Sequence, residues 1–154
     1  MATLFQYFTG SLRELIEQSL VIKDRLLKKN VGGVSDRLIE DLANCGVIVD
    51  ATYQHVVDNS AIRHAYAQHA SESETLRGQV AITKEDIEAI PQILENYDDL
   101  FTHKNRRGQD VVVYSKIYKD GTTMYVEEVR VGRKELAMDT IYKRKNGKLT
   151  DAKK

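Results

Sequence analysis

Two histidines five residues apart, His64 and His69, are the residues of this sequence best suited to acid–base chemistry. The imidazole pKa lies near neutrality, so a histidine can both accept and release a proton. On a helix of about 3.6 residues per turn, positions five apart are separated by roughly 140°, and both rings would not face one site. The spacing also argues against zinc, for which histidines four apart share a face. Either the helix ends at or before His69, or one histidine is structural.

Alternating residues near the C-terminus predict three strands, at 111–118, 123–131 and 136–143, with a hairpin turn at Asp120-Gly121. Side chains alternate between the two faces of a strand. A mixture of aromatic, hydroxyl and cationic side chains is expected on one face of each strand: Val112, Tyr114, Lys116 and Tyr118; Met124, Val126, Glu128 and Arg130; Met138, Thr140, Tyr142 and Arg144. Such faces can stack bases and hold phosphate. The alternative is an ordinary solvent face with cross-strand ion pairs, such as Glu128 with Lys116.

Several familiar sites are absent from the sequence. It contains no glycine-rich phosphate-binding loop, no dinucleotide-binding glycine motif and no serine-hydrolase motif. Adjacent carboxylates at Asp98-Asp99 and Glu127-Glu128 do not suit a two-metal site, and no metal or cofactor is expected. Cys45 is the only cysteine, which excludes an internal disulfide; we expect it to be buried packing.

The net charge of zero conceals a strong asymmetry along the chain. Residues 1–100 carry 9 Lys and Arg against 16 Asp and Glu, whereas residues 101–154 carry 14 against 7. The basic part could meet a polyanion, or it could be a solvated sheet face and tail. With no signal peptide and no apolar run of membrane-spanning length, a cytoplasmic or phage-associated protein without membrane contact is expected.

Helical spacing of apolar residues predicts four helices before the strands, at 4–29, 35–46, 60–69 and from Thr83, where Pro91 should either kink the last helix or break it into two short ones. Capping boxes are expected at Ser11–Glu14 and Thr83–Asp86. Helices followed by an antiparallel meander form an α+β pattern.

An ordered series of motifs resembles the phage-associated branch of the barnase–EndoU–colicin–RelE-like (BECR) nucleases. The resemblance covers about residues 50–145, so we divide the chain into a helical extension (1–49), a BECR-like nuclease domain (50–145) and a flexible basic tail (146–154). The motifs are Ser60-Ala61-Ile62-Arg63-His64-Ala65 with His69; Glu74 with Arg77-Gly78-Gln79-Val80-Ala81-Ile82-Thr83 and Asp86; Ile90-Pro91; Asn96-Tyr97-Asp98; Tyr114-Ser115-Lys116; Val126-Glu127-Glu128-Val129-Arg130; and Asp139-Thr140-Ile141-Tyr142.

The resemblance implies N-terminal helices packed on a C-terminal antiparallel sheet of about four strands, with the active site on the exposed sheet face. It also implies RNA cleavage without metal, through attack of the 2′-hydroxyl that leaves a 2′,3′-cyclic phosphate. Relatives of this kind act as toxins or sit in phage and prophage proteins. The partners expected are therefore RNA, with tRNA as one candidate, and an immunity or antitoxin protein.

The resemblance also implies roles for particular residues, by position in the motifs. His64 and His69 are the candidates for base and acid, with His64 preferred if only one acts, and Glu127 or Glu128 could also accept a proton. Lys116 would stabilise the phosphate, and Thr140 and Tyr142 would orient phosphate or base. Further substrate-binding candidates are Arg77, Arg130 and Arg144, although Arg77 could instead be architectural. The alternative function is a catalytically inactive, phage-associated binding module with the same fold.

Overall fold

The computed structural model describes residues 5–71, 74 and 79–146. Within them, eight strands form one mixed sheet, which is larger than the antiparallel sheet of about four strands that the sequence predicts. The strands are β1 (Phe5–Tyr7), β2 (Leu26–Gly33), β3 (Gln54–Asp58), β4 (Gln79–Val80), β5 (Asp99–Lys104), β6 (Asp110–Tyr118), β7 (Gly121–Arg130) and β8 (Glu135–Arg144).

The strand order is β1-β2-β3-β8-β7-β6-β5, and the short β4 also pairs with β8. Two pairs are parallel, β1 with β2 and β3 with β8, while all other neighbours are antiparallel. The three predicted strands correspond to β6, β7 and β8 and form the meander expected from the sequence. The sheet then continues on both sides, through β5 at one edge and through β3, β2 and β1 towards the other.

Five described helices accompany the sheet: α1 (Leu12–Ser19), α2 (Asp36–Asn44), α3 (Asn59–His69), α4 (Lys84–Glu88) and α5 (Ile90–Asn96). Both predicted capping boxes are present, at Ser11 before α1 and at Thr83 before α4. Pro91 lies in the first turn of α5, so the predicted break between two short helices is confirmed. Among the described residues, no helix has the length and apolar character needed to cross a bilayer.

The N-terminal part of the chain differs from the all-helical segment that the sequence predicts. The helix predicted to reach Lys29 ends at Ser19, and residues 26–33 form β2 within the sheet. Helical spacing of Leu26 and Leu27 misled the prediction, because Leu27 is buried as a strand residue. The division of the chain at residue 49 stays a prediction, and residues 147–154 of the predicted tail lie outside the described residues.

The two faces of the sheet differ in what covers them. All five helices contribute buried side chains to one large core that includes Val112, Tyr114 and Tyr125 of the sheet. The opposite face carries a smaller apolar cluster of Val111, Val113, Met124 and Val126, against which Tyr142 packs. We call the first the helical face and the second the open face.

Helix α3 lies beside β8, on the side of β8 where β3 and β4 pair with it. β3 pairs with residues 135–137 of β8, whereas β4 pairs with residues 143 and 144. Because α3 follows β3 directly and contacts β8, it occupies the interval between them. One side of α3 therefore packs into the core through Ile62 and Ala65, and another borders the open face.

A β-bulge interrupts the pairing of β7 with β8. Val126 pairs with Thr140, but the next residue, Glu127, pairs with Met138, so Asp139 is the extra residue. The bulge places Met138 in the helical core, while Thr140 lies opposite Val126 on the open face. The prediction that Met138 shares a face with Thr140 is therefore wrong, because the alternation on which it rests is broken between them.

A buried carboxylate joins three strands on the helical face. Glu127 of β7 accepts hydrogen bonds from the Tyr114 hydroxyl of β6 at 2.7 Å and lies 2.8 Å from Nδ1 of His55 of β3. All three side chains are buried. Burial, together with the Glu127 carboxylate, raises the pKa of Tyr114 well above its usual value, so the phenol stays protonated and donates.

The Tyr114→Phe substitution should destabilise the protein by about 1–3 kcal/mol, because it leaves a buried carboxylate oxygen short of a donor. Tyr118→Phe is the matched control, since the buried Tyr118 hydroxyl has no hydrogen-bond partner in the described structure and its loss should be nearly neutral. Urea unfolding measures both free energies, with an unchanged m-value expected. Equal effects of the two substitutions would contradict the role given to Glu127.

Candidate active site

A cleft of about 690 Å³ lies on the open face, within the size range of small-molecule and nucleotide sites. Its walls come from the end of β3, the first turns of α3, the bulge in β8, the end of β7 and the two turns that follow β5 and β7. The residues that define its chemistry are His64, Glu128, Arg107, Arg130, Arg133, Asp58 and Asp139. Leu26 and Met138 contribute apolar surface.

His64 faces the cleft because α3 begins at Asn59 and buries the side chains on either side of it, Ile62 and Ala65. The Asp58 side chain caps α3 by accepting a hydrogen bond from the Ala61 amide at 2.7 Å. Ile62 and Ala65 are buried in the core, so His64 between them is turned outward and is exposed. Its Nε2 atom lies 3.2 Å from the amide nitrogen of Gln68, one turn later.

The neighbouring Arg63 has a structural place. Its guanidinium donates to the backbone carbonyls of Ser19 and Ile22, at 3.2 and 3.0 Å. These bonds tie α3 to the end of α1 and to the segment that leads into β2. Of the Arg63-His64 pair, the histidine is therefore the residue available to a ligand.

Glu128 occupies the opposite wall of the cleft between two arginines. Its Oε2 accepts a 2.8 Å bond from Arg107, and its Oε1 lies 3.3 Å from Nε of Arg130. Asn105 adds a longer contact of 3.5 Å. These contacts hold the Glu128 carboxylate in a fixed position in the cleft, beside two positively charged side chains.

The two adjacent glutamates have different surroundings because alternation turns them to opposite faces. Glu128 is in the cleft, whereas Glu127 is fully buried against His55 and Tyr114. Of the two carboxylates considered as proton acceptors, Glu128 is the one that a ligand in the cleft can reach.

His69 lies away from this cleft, although α3 does end there as the spacing requires. Its Nδ1 is 3.2 Å from Oε2 of Glu74, and its ring centroid is 5.6 Å from that of Tyr142. Thr140, next to the bulge, has a buried hydroxyl with no hydrogen-bond partner in the described part of the chain. His69, Thr140 and Tyr142 thus border the open face without lining the cleft with His64.

Lys116 and the remaining predicted residues are more widely separated. Lys116 alternates with Val112 and Tyr114 on the helical face, and its nearest acid is Asp98 at 3.8 Å. Arg144 is at the far end of β8, where it pairs with Thr122 and Gln79. Of the predicted substrate-binding arginines, Arg130 is in the cleft, and Arg77 lies outside the described residues.

Several cleft residues were not singled out from the sequence, chiefly Arg107, Gln109 and Arg133. Their signal was the density of charge in the turns 104–110 and 130–135. That signal could not be placed while β5 was unrecognised, because the pairing of β5 with β6 brings the first turn beside the second. Cys45, expected to be buried, is exposed at the end of α2 and belongs to a different surface.

No group of three or more histidine, cysteine or acidic side chains is arranged for a metal ion within the described residues. The fold and the cleft define an α+β protein with an arginine-rich, histidine-bearing site on the open face of a sheet. The model of the family named phage-Barnase-EndoU-ColicinE5/D-RelE like nuclease 3 matches residues 29–151. The chain belongs to this family of phage-associated BECR nucleases, which confirms the resemblance found in the sequence.

The family match begins inside β2 and includes every residue of the cleft except Leu26. Comparisons with curated proteins and with solved structures found no match.

Inorganic phosphate should perturb the ring proton signals of His64 more than those of His69 in an NMR titration. Phosphate is expected to bind beside the cleft arginines, where its charge and hydrogen bonds change the surroundings of the His64 ring. The chain has four histidines, so His64→Gln and His69→Gln variants assign the two signals. An equal response of His69 would show that anions do not bind preferentially in the cleft.

Proposed function

We propose that this protein is a metal-independent ribonuclease that cleaves RNA by attack of a 2′-hydroxyl on the adjacent phosphate. The observation that carries the proposal is the meeting of His64, Glu128 and Arg130 in one cleft. These side chains provide the three components that the reaction requires: a proton acceptor, a proton donor and a cation beside the phosphate. Family membership supports nuclease activity in general.

The proposed reaction assigns one role to each group. Glu128 accepts the 2′-hydroxyl proton as the 2′-oxygen bonds to phosphorus. The bond from phosphorus to the 5′-oxygen breaks, and protonated His64 donates its proton to that leaving oxygen. Arg130 stabilises the negative charge that develops on the phosphate, and the products are a 2′,3′-cyclic phosphate and a free 5′-hydroxyl.

The division of labour follows from the surroundings of the two groups. The Glu128 carboxylate is held in the cleft by Arg107 and Arg130, so its oxygens are positioned beside the cations that would bind the phosphate. His64 is exposed and lines the cleft on α3, so its ring is accessible to the leaving oxygen of a bound strand. Lys116 is left out of this scheme because it lies on the helical face.

The His64→Ala variant should lose about 10²- to 10⁴-fold in the rate of RNA cleavage, the usual contribution of a proton-transfer group. Cleavage of total RNA or tRNA is measured by gel in the presence of EDTA, and wild-type activity should persist there. Lys116→Gln and His69→Ala serve as controls and should each lower the rate by less than about tenfold, because neither side chain lines the cleft.

The outcomes separate the candidate functions. Intact RNA binding without cleavage of any RNA would favour an inactive binding module, and activity restored only by Mg²⁺ or Zn²⁺ would favour a metal-dependent hydrolase. Loss of cleavage in Lys116→Gln as large as in His64→Ala would overturn the catalytic set. We further propose a toxin-type role in phage or prophage, for which wild-type protein should be harder to express than His64→Ala unless an inhibitor protein is present.

A further inference from the structure

Two turns at one end of the sheet concentrate the basic residues of the protein. Residues 104–109 follow β5 and residues 130–134 follow β7, and we call these segments the basic turns. Together they hold six Lys and Arg and no Asp or Glu. Because β5, β6, β7 and β8 are successive antiparallel neighbours, both turns emerge at the same end, about 10 Å apart at two strand spacings.

Part of this charge is already committed to neighbouring acids. Lys104 pairs with Asp110 at 3.0 Å, while Arg107 and Arg130 both contact Glu128. Arg106 and Arg133 are exposed, and neither forms an ion pair within the described part of the chain. Each basic turn therefore presents an exposed arginine, Arg106 on the β6 side of the Glu128 strand and Arg133 on its β8 side.

Hydrogen bonds hold the first turn in a defined shape. The Asn105 side-chain oxygen accepts bonds from the amides of Arg107 and Gln109, both at 3.0 Å. Gly108 adopts φ +77°, a left-handed conformation that glycine accepts without strain. The turn is then attached to the cleft through Arg107 and Glu128, so Arg106 is carried on a fixed support.

The second turn is equally short. A single turn of 3₁₀-helix spans Val131–Arg133 and ends at Lys134, which adopts a left-handed conformation with φ 54°. The Lys134 amide closes the turn by donating to the Val131 carbonyl at 3.2 Å. Arg133 thus projects from a tight turn whose ends are fixed by β7 and β8, and it reaches the cleft lining.

We infer that Arg106 and Arg133 bind phosphates on either side of the scissile phosphate, so that the substrate is a single RNA strand several nucleotides long. This inference rests on the proposed ribonuclease function. A single strand can bend across both turns while placing one 2′-hydroxyl in the cleft, whereas stacking and pairing restrain the backbone of a duplex. The cations contact phosphate only, so they favour length and strandedness over sequence.

Binding is tested with a 2′-O-methyl RNA 12-mer, which cannot undergo the cleavage reaction, by fluorescence anisotropy at several salt concentrations. The Arg106→Gln/Arg133→Gln variant should show a salt slope smaller by about 1.4, since each phosphate contact on a single strand contributes about 0.7. The matched control is Lys119→Gln/Lys145→Gln, which removes the same charge at the opposite end of the sheet. Its slope should equal that of the wild type.

The dependence of the cleavage rate on RNA length also tests the role of Arg106 and Arg133. The Arg106→Gln/Arg133→Gln variant should lower kcat/KM for an unmodified 12-mer by about 5- to 30-fold, mainly by raising KM. A dinucleotide has no flanking phosphates, so the advantage of the 12-mer over the dinucleotide should shrink by the same factor. The Lys119→Gln/Lys145→Gln control should retain the advantage of the 12-mer.

The two proposals fail in different ways. If the wild type cleaves no RNA yet the salt slope falls only in the Arg106→Gln/Arg133→Gln variant, the ribonuclease function is overturned and the phosphate subsites are supported. If the wild type cleaves RNA and the two double variants behave alike in both assays, the subsites are overturned. Tighter binding of a 12-base-pair duplex than of the single strand would also overturn the inferred substrate class.

Discussion

The buried carboxylate of Glu127 is the constraint on which the geometry of the cleft depends. A polar group without partners is expensive to bury, so the hydrogen bonds of Glu127 hold it against His55 and Tyr114, which lie on different strands. A shift of β7 by one residue would turn Glu127 out of the core and bring Glu128 into it. The network therefore specifies which of the two glutamates faces the ligand.

The β-bulge in β8 separates the residues of the helical face from those of the open face in the same way. By inserting Asp139 opposite the Val126–Glu127 step, it keeps Met138 in the core and leaves the first part of β8 free to border the cleft. β8 also contacts α3, which presents His64. Strand register on one side and the burial of α3 on the other thus bring a carboxylate and an imidazole to the same opening.

Much of this arrangement could be predicted from local signals, and the rest depends on pairing that a single sequence does not reveal. Caps at Ser11 and Thr83 and the break at Pro91 are chemical signatures that act within one turn, so they were predictable. β2 and β5 were not, because burial in β2 does not alternate between its faces and β5 has no fully buried side chain. Alternation sorts the residues of a strand into two faces but does not show which face the helices cover. Lys116 is therefore predicted to act with His64 and Thr140, although it lies on the opposite side of the sheet from them.

The spacing of His64 and His69 indicates that the two rings do not share one site. Positions five apart cannot face one site on a continuous helix, and α3 is continuous from Asn59 to His69, so the structure separates the two rings. Only His64 lies in the cleft, so the two histidines are not placed to act together there as base and acid. In the proposed reaction the second group comes from another element, as Glu128, which contacts Arg107 and Arg130 in the cleft. In the proposed reaction the arginines that contact Glu128 also attract the phosphate, so one set of charges would serve both substrate binding and activation of the 2′-hydroxyl.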